Sequence, residues 1–325
     1  MFVLFINDIT DGVSPGTNLS MYADDTKISR PIVDESDMIA LQRDIDYLHD
    51  WSLRNKMKFH PHKCKVLSVN GKIPNPLLSV LPFTHFTYTL GEDPLDEVSS
   101  EKDLGVMVNS PLEWNEQCDQ IYSRANQKLG LMKRTCHFVY DQTRRRILYM
   151  ALVRSQFEHC SVIWRPLTKT KTTKLENLQK RAIKWILFEE NISYASITSY
   201  IQKCRHLNIL PLAVRFDFLD ILFFYKVVTG LVPVELPCYL VPYSGNTRLR
   251  HSHLDHLCLV STVSPRTTTN ALAQGFFYRT HTKWNNLPLE VRELATLSEF
   301  KAKLLKFLWD NVLSELDEML DEDYS

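Results

Sequence analysis

Two adjacent carboxylates, Asp24 and Asp25, carry the clearest chemistry in this chain of 325 residues. They follow Tyr22-Ala23 and lie between two short β-prone segments, residues 19–22 and 26–29. Carboxylates on a tight turn offer hard oxygen ligands to divalent cations. Nucleotidyl transfer uses two such ions, one activating the attacking 3′-hydroxyl and one stabilising the pyrophosphate leaving group. Adjacent side chains on extended backbone point in opposite directions, so the turn must redirect one of the pair. One Asp is then the direct ligand and the other a weaker or outer contributor. Taken alone, an Asp-Asp pair is also what an ordinary surface turn shows, because Asp hydrogen-bonds its own backbone there. His159-Cys160 and Cys136-His137 are weaker candidates: no second such pair stands at metal-finger distance, so zinc is not expected.

Hydrophobic spacing sets out the elements that must position these groups. Residues 2–6 are apolar, and Asp11-Gly12 with Ser14-Pro15-Gly16 marks a turn before the first β segment. From Asp34, apolar residues at Met38, Leu41, Ile45, Leu48 and Trp51 predict an amphipathic helix with an acidic first turn. Short strands are predicted at 66–69 and 103–108, with edges and loops between them. Beyond Pro111 the spacing predicts helices over 113–137, 144–160, 172–188, 209–229 and 297–319, with Pro211 in a first turn. In the second of these the inward face would be Ile147, Leu148, Ala151 and Phe157. Trp114, Trp164 and Trp185 sit at apolar helical positions, which favours core packing over base stacking. The fold class expected is α+β, with a small mixed portion over residues 1–110, a basic helical region over 111–230, and a C-terminal region over 231–325 ending in an acidic helix.

Net charge is zero, yet its distribution is uneven. Residues 121–190 hold fifteen Lys or Arg against five Asp or Glu, whereas 312–325 hold six acidic residues and no basic one. An odd number of cysteines, seven, with no close pair points to a reducing, intracellular compartment, cytoplasmic or nuclear. The first residues lack a basic leader, and the run 216–228 is broken by Asp217, Asp220 and Lys226, so neither secretion nor a membrane span is expected.

Four blocks in order carry a family likeness: FINDITDGVSPG with LSMYADDTKIS and ALQRDIDYLHDWSLRNKMKFHPHKCKVLSV; EKDLGVMVNSPLEWNEQCDQIYSRANQKLGLMKR; LYMALVRSQFEHCSVIWRPLTKTKTTKLENLQKRAIKWI; and TKWNNLPLEVRELATLSEFKAKL. Together they resemble the reverse transcriptases of non-LTR retrotransposons, in particular the jockey-like groups, along nearly the whole chain. The resemblance implies an incomplete palm followed by a mostly helical thumb and C-terminal region. It implies that Tyr22-Ala23-Asp24-Asp25 is the polymerase metal motif, with Tyr22 supporting the primer terminus and Asp24 the principal ligand for Mg2+. Lys63 falls in the family's Asn-x-x-Lys segment, near the incoming nucleotide phosphates, although His60 replaces the Asn; without the family, Lys63 is equally an exposed cation beside a strand. The helices after the palm would contact the backbone of an RNA template and DNA primer through Lys133, Arg134, Arg144, Arg145, Arg146, Arg154, Lys180, Arg181 and Lys184. The family's other metal-binding Asp, its fingers and its endonuclease precede this turn, and Asp8 is not assigned the missing ligand's role. The expectation is therefore a polymerase fragment inactive alone, with no protein partner required. A non-enzymatic nucleic-acid-binding protein, and a fragment with no stable role, are the alternatives.

Overall fold

Pairing of residues 18–29 follows the alternation of the sequence. The strands β1 (Asn18–Tyr22) and β2 (Asp25–Ser29) form an antiparallel hairpin with Leu19 opposite Ile28, Ser20 opposite Lys27 and Tyr22 opposite Asp25. This is seen in a computed structural model that describes residues 6–69, 86–166, 168–188, 199–243, 257–263, 272–273 and 275–322, with side chains as far as 311. Of the apolar stretch at 2–6, residues 2–5 lie outside the described residues, as do residues 83–85 of the loop region. The architecture is α+β, mostly helical with small two-stranded sheets. The chain divides into two compact units, Met1–Asp103 with Val108–Leu112, and Leu104–Met107 with Glu113–Ser325.

In the first unit, Leu19 and Ile28 turn one hairpin face onto a small core of Ile6, Ile9, Leu48 and Trp51. The last two come from α1 (Glu35–Arg54), whose N-cap Asp34 accepts a hydrogen bond from the Asp37 amide, satisfying one of the orphan donors of the first turn. The Tyr47 ring closes over Gly12: a Cβ there would lie 2.2 Å from it, so any larger residue requires the half-buried ring to move. The predicted strand at 66–69 is shorter and begins one residue earlier, as β3 (Lys65–Leu67). The antiparallel pair β4 (Thr89–Leu90) and β5 (Asp93–Pro94) precedes β6 (Asp96–Val98), which pairs parallel with β3. Where the chain passes between the two units, the single strand expected at 103–108 is instead a hairpin, β7 (Ser100–Asp103) and β8 (Val106–Asn109). Leu104 and Gly105 between them both have positive φ, +45° and +89°, the pattern of a type I′ turn that Leu rarely occupies and so does not announce.

In the second unit, α2 (Asn115–Thr135) buries Cys118, Ile121, Ala125, Leu129 and Met132, as its spacing predicts. The helix expected over 144–160 is three pieces: α3 (Gln142–Leu148), a π-helical stretch Tyr149–Arg154, and α4 (Ser155–Glu158). Its inward residues are Arg145, Tyr149, Val153 and Phe157, while Ile147 is exposed. Steps of four on an α-helix drift by about 40° each and would spread these residues over about 120°; the wider π turn takes up the drift and keeps them on one side. Cys160, at φ +50°, then breaks the helix before α5 (Ser161–Trp164), whose Trp164 is fully buried.

The helix α6 (Lys169–Ile186) packs on α2 and buries Leu175, Leu178, Ala182, Ile183 and Ile186. A capping box, Ser199 with Gln202, opens α7 (Tyr200–His206), which hydrophobic spacing did not reveal. Pro211 is the N-cap of α8 (Leu212–Val228) rather than a residue of its first turn; the α6 residue Glu176 supplies the missing capping acceptor, taking the Leu212 amide at 3.0 Å and the Ala213 amide at 3.2 Å. The helix is apolar nearly all round because it serves two cores: Phe216 joins the α2–α6 cluster, and Phe218, Ile221, Phe224 and Tyr225 join another. That second core adds β9 (Leu240–Pro242) paired with β10 (Leu259–Ser261), then α9 (Phe276–Asn285), α10 (Leu289–Arg292) and α11 (Leu297–Glu322). Among the described residues no helix is long and apolar enough to cross a membrane.

Candidate functional site

The acidic turn is built by a two-residue loop. With Tyr22 paired to Asp25, Ala23 and Asp24 are left to reverse the chain, and Ala23 takes φ +54°. A left-handed conformation costs a non-glycine residue about 1 kcal/mol or more. Both carboxylates are exposed at the tip. The register puts Ser20, Tyr22, Asp25 and Lys27 on the face opposite Leu19 and Ile28, and Tyr22 is 68% exposed there. Lys27 on that face pairs with Asp103 at 2.6 Å.

Arg30, just beyond β2, fixes the base of this hairpin. It donates to the Pro15 carbonyl and Thr17 Oγ1, each at 3.0 Å, and to Asp37 Oδ1 at 3.0 Å in the first turn of α1. The backbone amide of Val33, then the Arg30 guanidinium, hold the Asp37 carboxyl below the ordinary carboxylate range. Asp8 has a structural task, accepting from Trp51 Nε1 at 3.1 Å. Lys63 is exposed at the end of a 3-10 turn, Pro61–Lys63, immediately before β3. Among the described residues no three His, Cys, Asp or Glu side chains cluster as a metal site. The turn itself offers two exposed carboxylates, Asp24 and Asp25, side by side at the hairpin tip.

Comparison with protein-family models, curated proteins and solved structures finds no match for this chain.

The nine basic residues singled out in the helical region separate into two kinds. Arg145 and Arg154 are buried, each 2% exposed, which corrects their assignment to a phosphate-contacting surface. Arg145 donates to the carbonyls of Val139, Trp185 and Phe188 and lies 5.0 Å over the Trp185 ring, satisfying the free carbonyls at the end of α6. Arg154 bonds Glu158 at 2.9 Å, the Leu210 carbonyl at 3.1 Å, and Gln179. Arg146 is likewise committed, to the carbonyls of Leu207 and Asn208.

The other six remain at the surface. Arg134, Arg144, Lys180, Arg181 and Lys184 are exposed and Lys133 is half-buried. Lys180 sits 5.1 Å over the Tyr200 ring. Burial, then the charges of Arg181 and Lys184, hold the Lys133 ammonium below its ordinary value. Sequence reading missed the open cavity of about 310 Å³ lined by Asn126, Gln127, Gly130, Lys133, Arg134 and Arg181. Its signal was the seven-residue interval from Asn126 to Lys133, which places both on one helix face. The cysteines offer no rival nucleophile near neutrality at two buried positions: burial pushes Cys118 up to about 11 and Cys204 up to about 12.

Proposed function

We propose that this chain is the part of a non-LTR reverse transcriptase from its catalytic turn onward, with Asp24 and Asp25 as metal-binding carboxylates and the α2–α6 region as the thumb. The observation that carries this reading is the hairpin tip: two exposed carboxylates on a two-residue loop, a strained Ala23, and Tyr22 open on the adjacent face. Backbone strain of this kind gathers where geometry serves function. In the complete enzyme Mg2+ supplies charge stabilisation for nucleotidyl transfer on a DNA primer paired to an RNA template. The residues of this chain hold oxygen ligands at the tip, present Tyr22 towards the primer terminus, and place the exposed cations of α2 and α6 along the nucleic-acid backbone. Lys63 is assigned to the nucleotide phosphates by resemblance.

The test is primer extension on an RNA template with magnesium, by the 325-residue chain alone and by the chain joined to the preceding palm segment of a related enzyme. The chain alone is expected to incorporate nothing, and the joined protein to incorporate nucleotides only while Asp24 is intact. Extension by the joined protein that persists in Asp24→Ala would remove the assignment of the turn. Robust extension by the 325-residue chain, lost in Asp24→Ala, would overturn the incompleteness of its site.

A second reading, a nucleic-acid-binding protein without catalysis, is favoured by one observation. Among the described residues Lys133, Arg134, Arg181 and Lys184 form no ion pair. It expects salt-sensitive binding indifferent to Asp24→Ala.

A further inference from the structure

Contacts along α2 and α6 show that the two helices run parallel. Asp119 meets Lys171 and Lys174 near their starts, Arg181 bonds Asn126 at 2.9 Å further on, and Lys133 reaches the Arg181 carbonyl at 3.4 Å near their ends. The C-terminal ends therefore lie together, where helix dipoles favour cations, and the cations there lack acidic partners among the described residues. Arg145 adds aromatic groups to the same end. One guanidinium holds the carbonyls of Val139 and of Phe188, so the segment after α2 lies beside the residue that follows α6. Flanking these anchor points, Phe138 is 64%, Tyr140 62% and Phe188 58% exposed.

Exposed aromatic rings and cations without acidic partners among the described residues, gathered at one end of a helix pair, are the two components of a surface that takes unpaired bases and their phosphates. We propose that the shared C-terminal end of α2 and α6 is a binding platform for a single-stranded polynucleotide, with bases stacked on Phe138, Tyr140 and Phe188 and phosphates on Lys133, Arg134, Arg181 and Lys184. A duplex keeps its base faces stacked on one another, so the rings select for single strands, which backbone contacts alone do not. An anionic membrane would also meet cations and aromatics; the cavity walls argue against it, because the amides of Asn126 and Gln127 offer hydrogen bonds suited to a phosphate or sugar in a recess rather than to an acyl boundary. The platform rests on the second reading, whose cations it uses, and does not involve Asp24; salt-sensitive binding that ignores the rings would remove the platform and leave that reading standing.

Fluorescence anisotropy with labelled oligothymidylate, the same oligomer made abasic, and a duplex tests this on the 325-residue chain. Each of Phe138→Ala, Tyr140→Ala and Phe188→Ala is expected to weaken oligothymidylate binding about tenfold, with Phe138→Tyr keeping it. The abasic oligomer should bind more weakly than oligothymidylate and ignore the aromatic changes. Combined Arg134→Gln, Arg181→Gln and Lys184→Gln should lower the salt slope by about 2. Thermal unfolding is followed in parallel, and these surface changes should leave it unmoved. Equal affinity for abasic and normal oligomers, aromatic variants that bind like the parent, no binding at low salt, or ring-dependent binding only to phosphatidylserine vesicles would each overturn the proposal.

Discussion

Ala23 has no side-chain reason to occupy a left-handed conformation, yet the pairing of Tyr22 with Asp25 leaves it no other way to close the hairpin. Replacing it with glycine removes the Cβ clash and should raise stability by about 1 kcal/mol, read as a shift in denaturant midpoint. A loss of stability would show that the turn does not adopt this conformation in solution. The turn itself was legible because its determinants are local: an acidic dipeptide between two β-prone runs. The fates of Arg145 and Arg154 were not, since Arg145 is drawn inward by carbonyls up to 43 residues away and Arg154 by one 56 residues away. A charge excess read along the chain counts both kinds of arginine alike.

Helices with one clean apolar face, α1, α2 and α6, were readable because period and burial agree. Readability failed where the period itself changes, in the π-helical stretch, and where a helix owes its start to a cap, as in α7. At the junction of α4 with α8, Glu158 takes Arg154 at 2.9 Å and Arg215 at 2.9 and 2.7 Å. Burial pushes its carboxyl up, but the bonds and charge of Arg215, with those of Arg154, outweigh that and leave it below the ordinary 4.5. A depressed folded value means stability that is present above the unfolded value and lost as pH falls through the folded one. Thermal midpoints should therefore drop as acid passes below about 4.5, and Glu158→Gln, less stable at neutral pH, should lose less over that range. An equal acid slope in parent and variant would remove Glu158 from the account.

At the scale of the molecule, the helix α8 shows how an apolar run with embedded charges is buried within the second unit. Asp220 in its middle is 1% exposed and takes Arg165 at 3.0 Å from one side and Arg279 at 3.1 Å from the other. These bonds tie α9 and the end of α5 to α8 within the second unit, so residues on both sides of 230 share one core. Removing a buried carboxylate strands its partners, and Asp220→Ala should cost about 3 kcal/mol. Calorimetry showing a change under about 0.5 kcal/mol, the size of an ordinary surface substitution, would make the cluster incidental. The α+β class and the helical weight of the second unit were visible in composition and spacing; this ion cluster was not, because its members are separated by 55 and 59 residues.

The π-helical stretch has a meaning for the history of the chain. The Ser155 amide reaches back to the Met150 carbonyl, five residues away instead of four. An α-helix given one extra residue, with both its ends held by packing, takes this form. The exposed Ala151 and Leu152 mark where the surplus sits. Descendants and cousins of this chain are free to differ in length by one residue at that point without turning Phe157 out of its core, so aligned sequences should place a gap there before they place one in α2 or α6.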